Sequence, residues 1–274
     1  MGHSVETRAN GVYVNLDVLL AKYCTHIPPE ELDLAINISK RYGYLFISTP
    51  KSGCSSVIST LQKLELQRPY KIWRHPIEIH DKSVSPLCGA HELVDFDRFL
   101  VAQPFTFTFV RNPYTRVLSA YLEKICGGYS SIQRKQILLQ LGHNCSDDLF
   151  DVSFVDFLRA VSNQPVSTMD VHWMPQYYVA SHDRMRFDFV GRLESMDRDF
   201  RFVLSKICND FEQYITCEQR HGKNANDKIS RYYTDEAVSL VKEIYAVDFK
   251  HFGYSLELPI TAEKKHKKLA EIEF

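Results

Sequence analysis

No stretch of this 274-residue chain is apolar over the roughly 20 residues that a helix needs to cross a bilayer. Its opening, MGHSVETRANGVYVNLDVLL, is polar and lacks both the basic start and the long apolar core of a secretory signal. An excess of either charge is missing too. Lys and Arg number 33 against 34 Asp and Glu, a formal net charge of −1, which disfavours an extended nucleic-acid surface and makes any strongly positive potential local. The seven cysteines are odd in number, scattered and never spaced C-x-x-C, so a zinc site and a complete disulfide framework are not expected, and reduced thiols are the default. Also absent is G-x-x-x-x-G-K-[ST], the phosphate loop of nucleotide kinases.

What is present suits a globular enzyme: 45% of residues are hydrophobic and 12% aromatic, enough for one substantial α/β core in a single domain over 1–274, with extensions outside about 40–255. The most informative stretch is Tyr44 to Ser56, YLFISTPKSGCSS. Tyr44, Leu45, Phe46 and Ile47 read as a short buried strand, ended by Pro50 and Gly53. From Ser55 onward Val57, Ile58, Leu61 and Leu64 fall at helical spacing, so Ser55 and Ser56 sit near a helix N-terminus with hydroxyls available for capping or for a ligand. Lys51 lies in the loop between, either a solvated lysine in an ordinary turn or part of an anion site.

A second strand, loop and helix follows at Phe105 to Tyr121, FTFTFVRNPYTRVLSAY. Phe105, Phe107 and Phe109 alternate with Thr106 and Thr108, the period-two signature of a strand. Asn112 suits an N-cap and Pro113 a first helical position, after which Val117, Leu118, Tyr121, Leu122 and Ile125 form an apolar stripe. Arg111 then stands on the loop feeding the helix, where a guanidinium can bind phosphate bidentately, with Ser119 further along; Arg116 reads as a solvated surface charge. Two such turns suit a ligand with phosphate at both ends.

These residues carry a resemblance. PKSGCSS resembles the 5′-phosphosulfate loop, and RNPYTRVLSAY the 3′-phosphate motif R-x-P-x-x-R-x-x-S-x-Y, of sulfotransferases that use 3′-phosphoadenosine 5′-phosphosulfate (PAPS), the Golgi carbohydrate enzymes of sulfotransferase family 2 in particular. Asp170 to Gln176 (DVHWMPQ), Phe187 to Glu194 (FDFVGRLE) and Tyr232 to Tyr254, taken as a C-terminal helix with its Phe-Gly-Tyr ending, extend the likeness. It implies a P-loop-like α/β fold whose central, mostly parallel sheet is flanked by helices. It also implies PAPS as co-substrate, with no metal. Lys51 would hold the bridging oxygen of the leaving phosphate; the amides of Ser52, Gly53, Cys54, Ser55 and Ser56, with the Ser55 and Ser56 hydroxyls, would cradle the 5′-phosphate; Arg111 and Ser119 would grip the 3′-phosphate. Arg192 in VGRLE and Lys223 in the polar stretch HGKNANDK are further cofactor candidates, and Cys54 is read as a small packing residue.

Transfer to a hydroxyl also needs a base, and histidine suits neutral pH. The segment GAHELVDFDRFL resembles the loop of uronosyl 2-O-sulfotransferases that supplies one, which makes His91 the first candidate, although Gly89-Ala90 replaces a second histidine there; His172 and Glu92 are alternatives. Trp73 and Trp173 suit packing, or stacking on adenine.

Gly127 to Asp148 reads as a flexible segment around a short helix at 132–141, with Asp147, Asp148 and Asp151 making an acidic rim. No long basic groove for an anionic polysaccharide is visible, and KKHKK at 264–268 reads as a solvated tail. The expected acceptor is therefore a small, neutral or cationic hydroxyl-bearing molecule such as a decorated natural product, with a carbohydrate as the other candidate and no nucleic acid or membrane span among the partners. The polar opening favours a cytoplasmic, bacterial enzyme, or the Golgi lumen if the sequence is a piece of a longer one. A nucleotide kinase of related fold and a non-catalytic nucleotide-binding module are the rival readings.

Overall fold

The computed structural model describes residues 6–9, 12–68, 79–93, 95–127, 132–144, 150–215 and 225–259. In chain order the strands are β1 (Glu6–Ala9), β2 (Val12–Asn15), β3 (Ile36–Ser39), β4 (Tyr44–Ile47), β5 (Phe105–Val110) and β6 (Phe189–Arg192). The helices are α1 (Leu16–Leu20), α2 (Pro29–Ala35), α3 (Cys54–Glu65), α4 (Phe96–Val101), α5 (Pro113–Ala120), α6 (Ile132–Gln140), α7 (Phe154–Ser162), α8 (Gln176–Val179), α9 (Met196–Ile207), α10 (Ala225–Tyr232), α11 (Asp235–Ile244) and α12 (Ala246–Phe252). They form two compact units, one of Met1–Val110 with Gln176–His221, the other of Arg111–Pro175 with Gly222–Phe274.

The first unit is built on a four-stranded sheet in the order β3-β4-β5-β6, in which β4, β5 and β6 run parallel and β3 antiparallel to β4. The two expected strands are therefore neighbours, Tyr44 opposite Phe105 and Ile47 opposite Thr108. Their carboxyl ends leave the sheet at one edge, where ligands gather in parallel α/β sheets. The Phe face of β5 packs inward: Phe46 and Phe107 stack at 5.0 Å, and Phe109 meets Phe200 of α9 edge to face at 5.8 Å. Complete burial of each such ring contributes about 1.5–3 kcal/mol. The threonine face is buried as well, its hydroxyls satisfied by backbone: Thr108 Oγ1 donates to the Ile47 carbonyl at 2.7 Å and Thr106 Oγ1 to that of Pro104 at 3.1 Å. Strand β6 begins at Phe189, two residues later than FDFV suggests, and Gly191 leaves room for the Phe109 ring, which a Cβ would meet at 2.3 Å.

The second unit is helical. Asn112 caps α5, its side chain accepting from the Tyr114 amide at 3.0 Å, and Pro113 opens the helix, both as the sequence indicates. The stripe continues through a π-helical turn at Tyr121–Cys126, with Val117, Leu118, Tyr121 and Ile125 buried. Ile132–Gln140 is the expected short helix. The C-terminal segment departs from expectation: within Tyr232 to Tyr254, α11 and α12 replace one helix, and α10 precedes them. Thr234 ends the run by accepting the Ala237 amide at 3.2 Å, a side-chain cap with Asp235 and Glu236 in the following turn, so a new helix starts there. Gly253, at φ 63°, closes α12.

Candidate active site

The loop after β4 is held in a conformation that L-residues adopt at a cost. Lys51 has φ 68° and Gly53 φ 85°. A non-glycine residue in that region is worth a functional explanation. Gly53 has two reasons to be glycine, since a Cβ would lie 2.6 Å from Met196 Cε and 2.9 Å from Leu193 Cδ1. The loop between is fixed by the Ser52 amide donating to the Thr49 carbonyl at 3.2 Å and by the Ser52 hydroxyl donating to Gln176 Oε1 at 2.9 Å, both side chains buried. Helix α3 then starts at Cys54 with Gly53 as its cap, not at a serine cap. Left-handed Gly53 turns the chain so that the first turn of α3 follows directly on Lys51, with the Ser56 and Val57 amides donating to the Gly53 carbonyl at 3.1 and 3.2 Å and the Cys54 and Ser55 amides ahead of them at the helix start. Ser55 Oγ shares a hydrogen bond of 2.8 Å with His80 Nε2, and the Ser56 carbonyl accepts from Thr60. Burial pushes the Cys54 thiol up, against the pull of Lys51, as befits a packing thiol rather than a nucleophile.

The same sheet edge receives His91. Strand β3 runs antiparallel to β4, so Ile36 at its start lies opposite Ile47 at the end of β4. Cys88 bridges Ile38 in antiparallel sense, with amide and carbonyl exchanged at 2.9 and 3.0 Å. The residues after Cys88 therefore run toward the end of the sheet from which the Lys51 loop departs. There the His91 amide donates to Asp33 Oδ1 at 2.9 Å, and its Nδ1 lies 2.8 Å from Asp33 Oδ2. The hydrogen bond that His91 donates to Asp33, outweighing burial, raises the His91 imidazole above its ordinary value. Gly89 makes way for the pair: a Cβ would sit 2.6 Å from His91 Nδ1 and 3.1 Å from Asp33 Oδ1. Glu92 is occupied by the Gly89 amide at 2.9 Å. Lys82 donates to the Ile36 carbonyl and, at 2.9 Å, to Asn37 Oδ1; burial brings its ammonium down to about 8 while Asp33 and Glu92 oppose the shift. Arg192 ends β6 at this edge, its register partner being Val110, and its amide donates to Asp199 Oδ2 at 2.9 Å.

In the second unit, Arg111 is 5% exposed and its Nε donates to Thr115 Oγ1 at 2.9 Å. Thr115 and half-buried Ser119 share one face of α5 at four-residue spacing, so the guanidinium and two hydroxyls line one strip. Arg116 corrects the sequence reading: instead of a solvated charge it is fully buried, donating from Nη1 to the Met174 carbonyl at 2.7 Å and from Nη2 to that of Val171 at 2.9 Å. It ties DVHWMPQ to α5. Arg116→Ala strands two carbonyls and opens a void, and should lower unfolding stability by about 3 kcal/mol in urea titrations. Trp173 is packed, 1% exposed, with its indole N–H on Gln164 Oε1 at 3.0 Å. His172 also has an aspartate, Asp170, at 2.6 Å. Burial raises the Asp170 carboxyl, but hydrogen bonds from His172 and Gln133 carry it below the usual value. Lys223, Trp73, Asp147, Asp148 and 264–268 lie outside the described residues.

Asp33 and Gln176 were not singled out from the sequence. Asp33 has no local signal, since its partner is 58 positions away; Gln176 closes a motif already noticed, which was the available clue.

A mostly parallel sheet whose carboxyl end carries a left-handed lysine loop, a helix N-terminus and an aspartate-held histidine defines an α/β protein of the P-loop-like kind. A model described as Sulfotransferase family matches residues 35–255, and the chain belongs to that family. It is 27% identical to carbohydrate sulfotransferase 14 of Homo sapiens over 81% of this chain and 60% of that protein, and 28% identical to carbohydrate sulfotransferase 8 of Mus musculus over 80% and 56%. Carbohydrate sulfotransferase 14 of Danio rerio is 28% identical over 59% of this chain and 47% of its own length. The chain thus spans about half to three-fifths of these relatives. No solved structure matches it significantly. The matches overturn the cytoplasmic expectation: they are carbohydrate sulfotransferases, the group that the resemblance associates with the Golgi, and the polar opening of a chain shorter than its relatives is no guide to compartment.

Proposed function

We propose that the protein transfers a sulfuryl group from PAPS to a carbohydrate hydroxyl, with the chain acting as one catalytic domain; a Golgi-lumenal setting fits this reading. The observation that carries it is the left-handed Lys51-Ser52-Gly53 turn leading into the N-terminus of α3 at the edge where His91 also arrives. The donor supplies a sulfuryl group on a phosphate leaving group, so catalysis consists of positioning and of neutralising charge as it moves to the bridging oxygen. Lys51 serves that oxygen. The Gly53, Cys54 and Ser55 amides and the hydroxyls of Ser55 and Ser56 serve the 5′-phosphate, the Ser52 and Ser56 amides being spent on the Thr49 and Gly53 carbonyls, and Arg111 with Ser119 serve the 3′-phosphate. Arg192 and Lys223 are assigned to the same nucleotide. His91 takes the acceptor proton.

Two measurements test this together. Calorimetry with adenosine 3′,5′-bisphosphate should show 1:1 binding that Arg111→Ala weakens at least tenfold, a guanidinium–phosphate contact being worth about 1.5–3 kcal/mol. Incubation with PAPS and a panel of glycans should release adenosine 3′,5′-bisphosphate in step with sulfated sugar. Binding without turnover on any glycan or small alcohol would favour the non-catalytic module.

A further inference from the structure

We propose that Asp33 is the positioning residue of the active site, selecting the tautomer of His91 that leaves Nε2 free to accept a proton. The inference rests on the His91 assignment above and adds a residue to it. Asp33, in the last turn of α2, is 6% exposed and spends both oxygens on one residue: Oδ1 accepts the His91 amide and Oδ2 faces Nδ1. A carboxylate only accepts, so Nδ1 carries the hydrogen and the lone pair falls on Nε2. The imidazole side chain keeps 23% of its surface exposed, and Glu92 Oε1, at 3.9 Å from Nε2, is beyond hydrogen-bond range. Among the described side chains, Asp33, Glu92 and Lys82 are the charged groups that face the ring. Gly89 completes the arrangement, since any side chain there would displace the ring from Asp33.

During transfer the hydroxyl proton passes to Nε2, the acceptor oxygen bonds to sulfur, and the bond from sulfur to the bridging oxygen breaks with its electron pair on the phosphate. Nδ1–H stays in place, and the imidazolium that forms has the Asp33 carboxylate beside it.

Asp33→Asn discriminates because the backbone decides which way the amide points. The His91 N–H requires an acceptor, so Asn Oδ1 turns to it and Nδ2 is presented to Nδ1, which forces hydrogen onto Nε2. Nitrogen-15 spectra of histidine-labelled protein should show wild-type His91 as the Nδ1–H tautomer and the variant as Nε2–H. The variant's kcat should fall at least tenfold, with adenosine 3′,5′-bisphosphate affinity within twofold of wild type, and adding Asp33→Asn to His91→Ala should cost no further rate. An Nε2–H tautomer in the wild type overturns the proposal even if the variant does not fold. So does an unchanged tautomer in the variant, or an equal loss in the His91→Ala background, which would mark Asp33 as merely structural. If His91→Ala keeps the full rate, the base assignment fails, and the spectra alone then decide whether Asp33 sets the tautomer.

Discussion

Lys51→Ala should lower kcat for sulfuryl transfer by about 10²–10³-fold, the usual loss when one preorganised donor to developing charge is removed, while leaving the melting temperature within a few degrees of wild type. The first half follows from where the lysine stands. Its left-handed backbone, φ 68°, costs about 1–2 kcal/mol relative to an ordinary conformation, and alanine would bear the same cost. The turn persists because its neighbours determine it: Ser48 donates to the Ala35 carbonyl at 2.9 Å, Ser52 is locked to Gln176, and Gly53 packs under Met196 and Leu193. These contacts belong to its neighbours and stay in place in the variant, which is the ground for the second half of the prediction. Lys51→Arg should recover only part of the rate, because a planar fork does not deliver a point charge to one bridging oxygen. Stopped-flow or coupled assays of kcat beside thermal melts check both halves. A variant that retains more than a tenth of the rate would remove Lys51 from the chemistry.

The local devices of this fold were legible in the sequence, and the long-range ones were not. The aromatic alternation of β5, the Asn112-Pro113 helix start and the short run of β4 each need only a few adjacent residues, and the structure has all three. Where sequence reading slipped, another interaction overrode the local pattern. Gly53, not a serine, caps α3, since the left-handed turn at Lys51 brings the helix in one residue early. The C-terminal segment expected as one helix is two, since a Thr234 side-chain cap starts α11 and the chain breaks at Tyr245 before α12. Arg116 reads as a surface charge from its neighbours in sequence, and only the return of the chain at Val171 and Met174, 55 and 58 residues on, supplies the carbonyls that let it be buried. The partners of Ser52 and His91 are 124 and 58 residues distant, so no window of sequence could pair them.

The larger of the two losses should come from His91→Ala, about 10²–10⁴-fold in kcat, the range for a positioned general base. His172→Ala, which removes the other aspartate-paired histidine, should leave kcat within a few-fold. The pH profile separates a base from a packing residue. Because the hydrogen bond to Asp33 raises the His91 imidazole above its ordinary value of about 6.5, the neutral form that accepts a proton is reached only at higher pH. The acid limb of kcat should therefore lie above 6.5 and rise with pH. Folding stability runs the other way. A group whose pKa is higher folded than unfolded contributes its stabilisation fully below the unfolded value and loses it as pH rises through the folded one. Wild type should accordingly lose part of its stability over the pH interval in which it gains rate, and His91→Ala should lack both changes. An acid limb at the same pH in His91→Ala would assign the titration, and with it the base, to another residue.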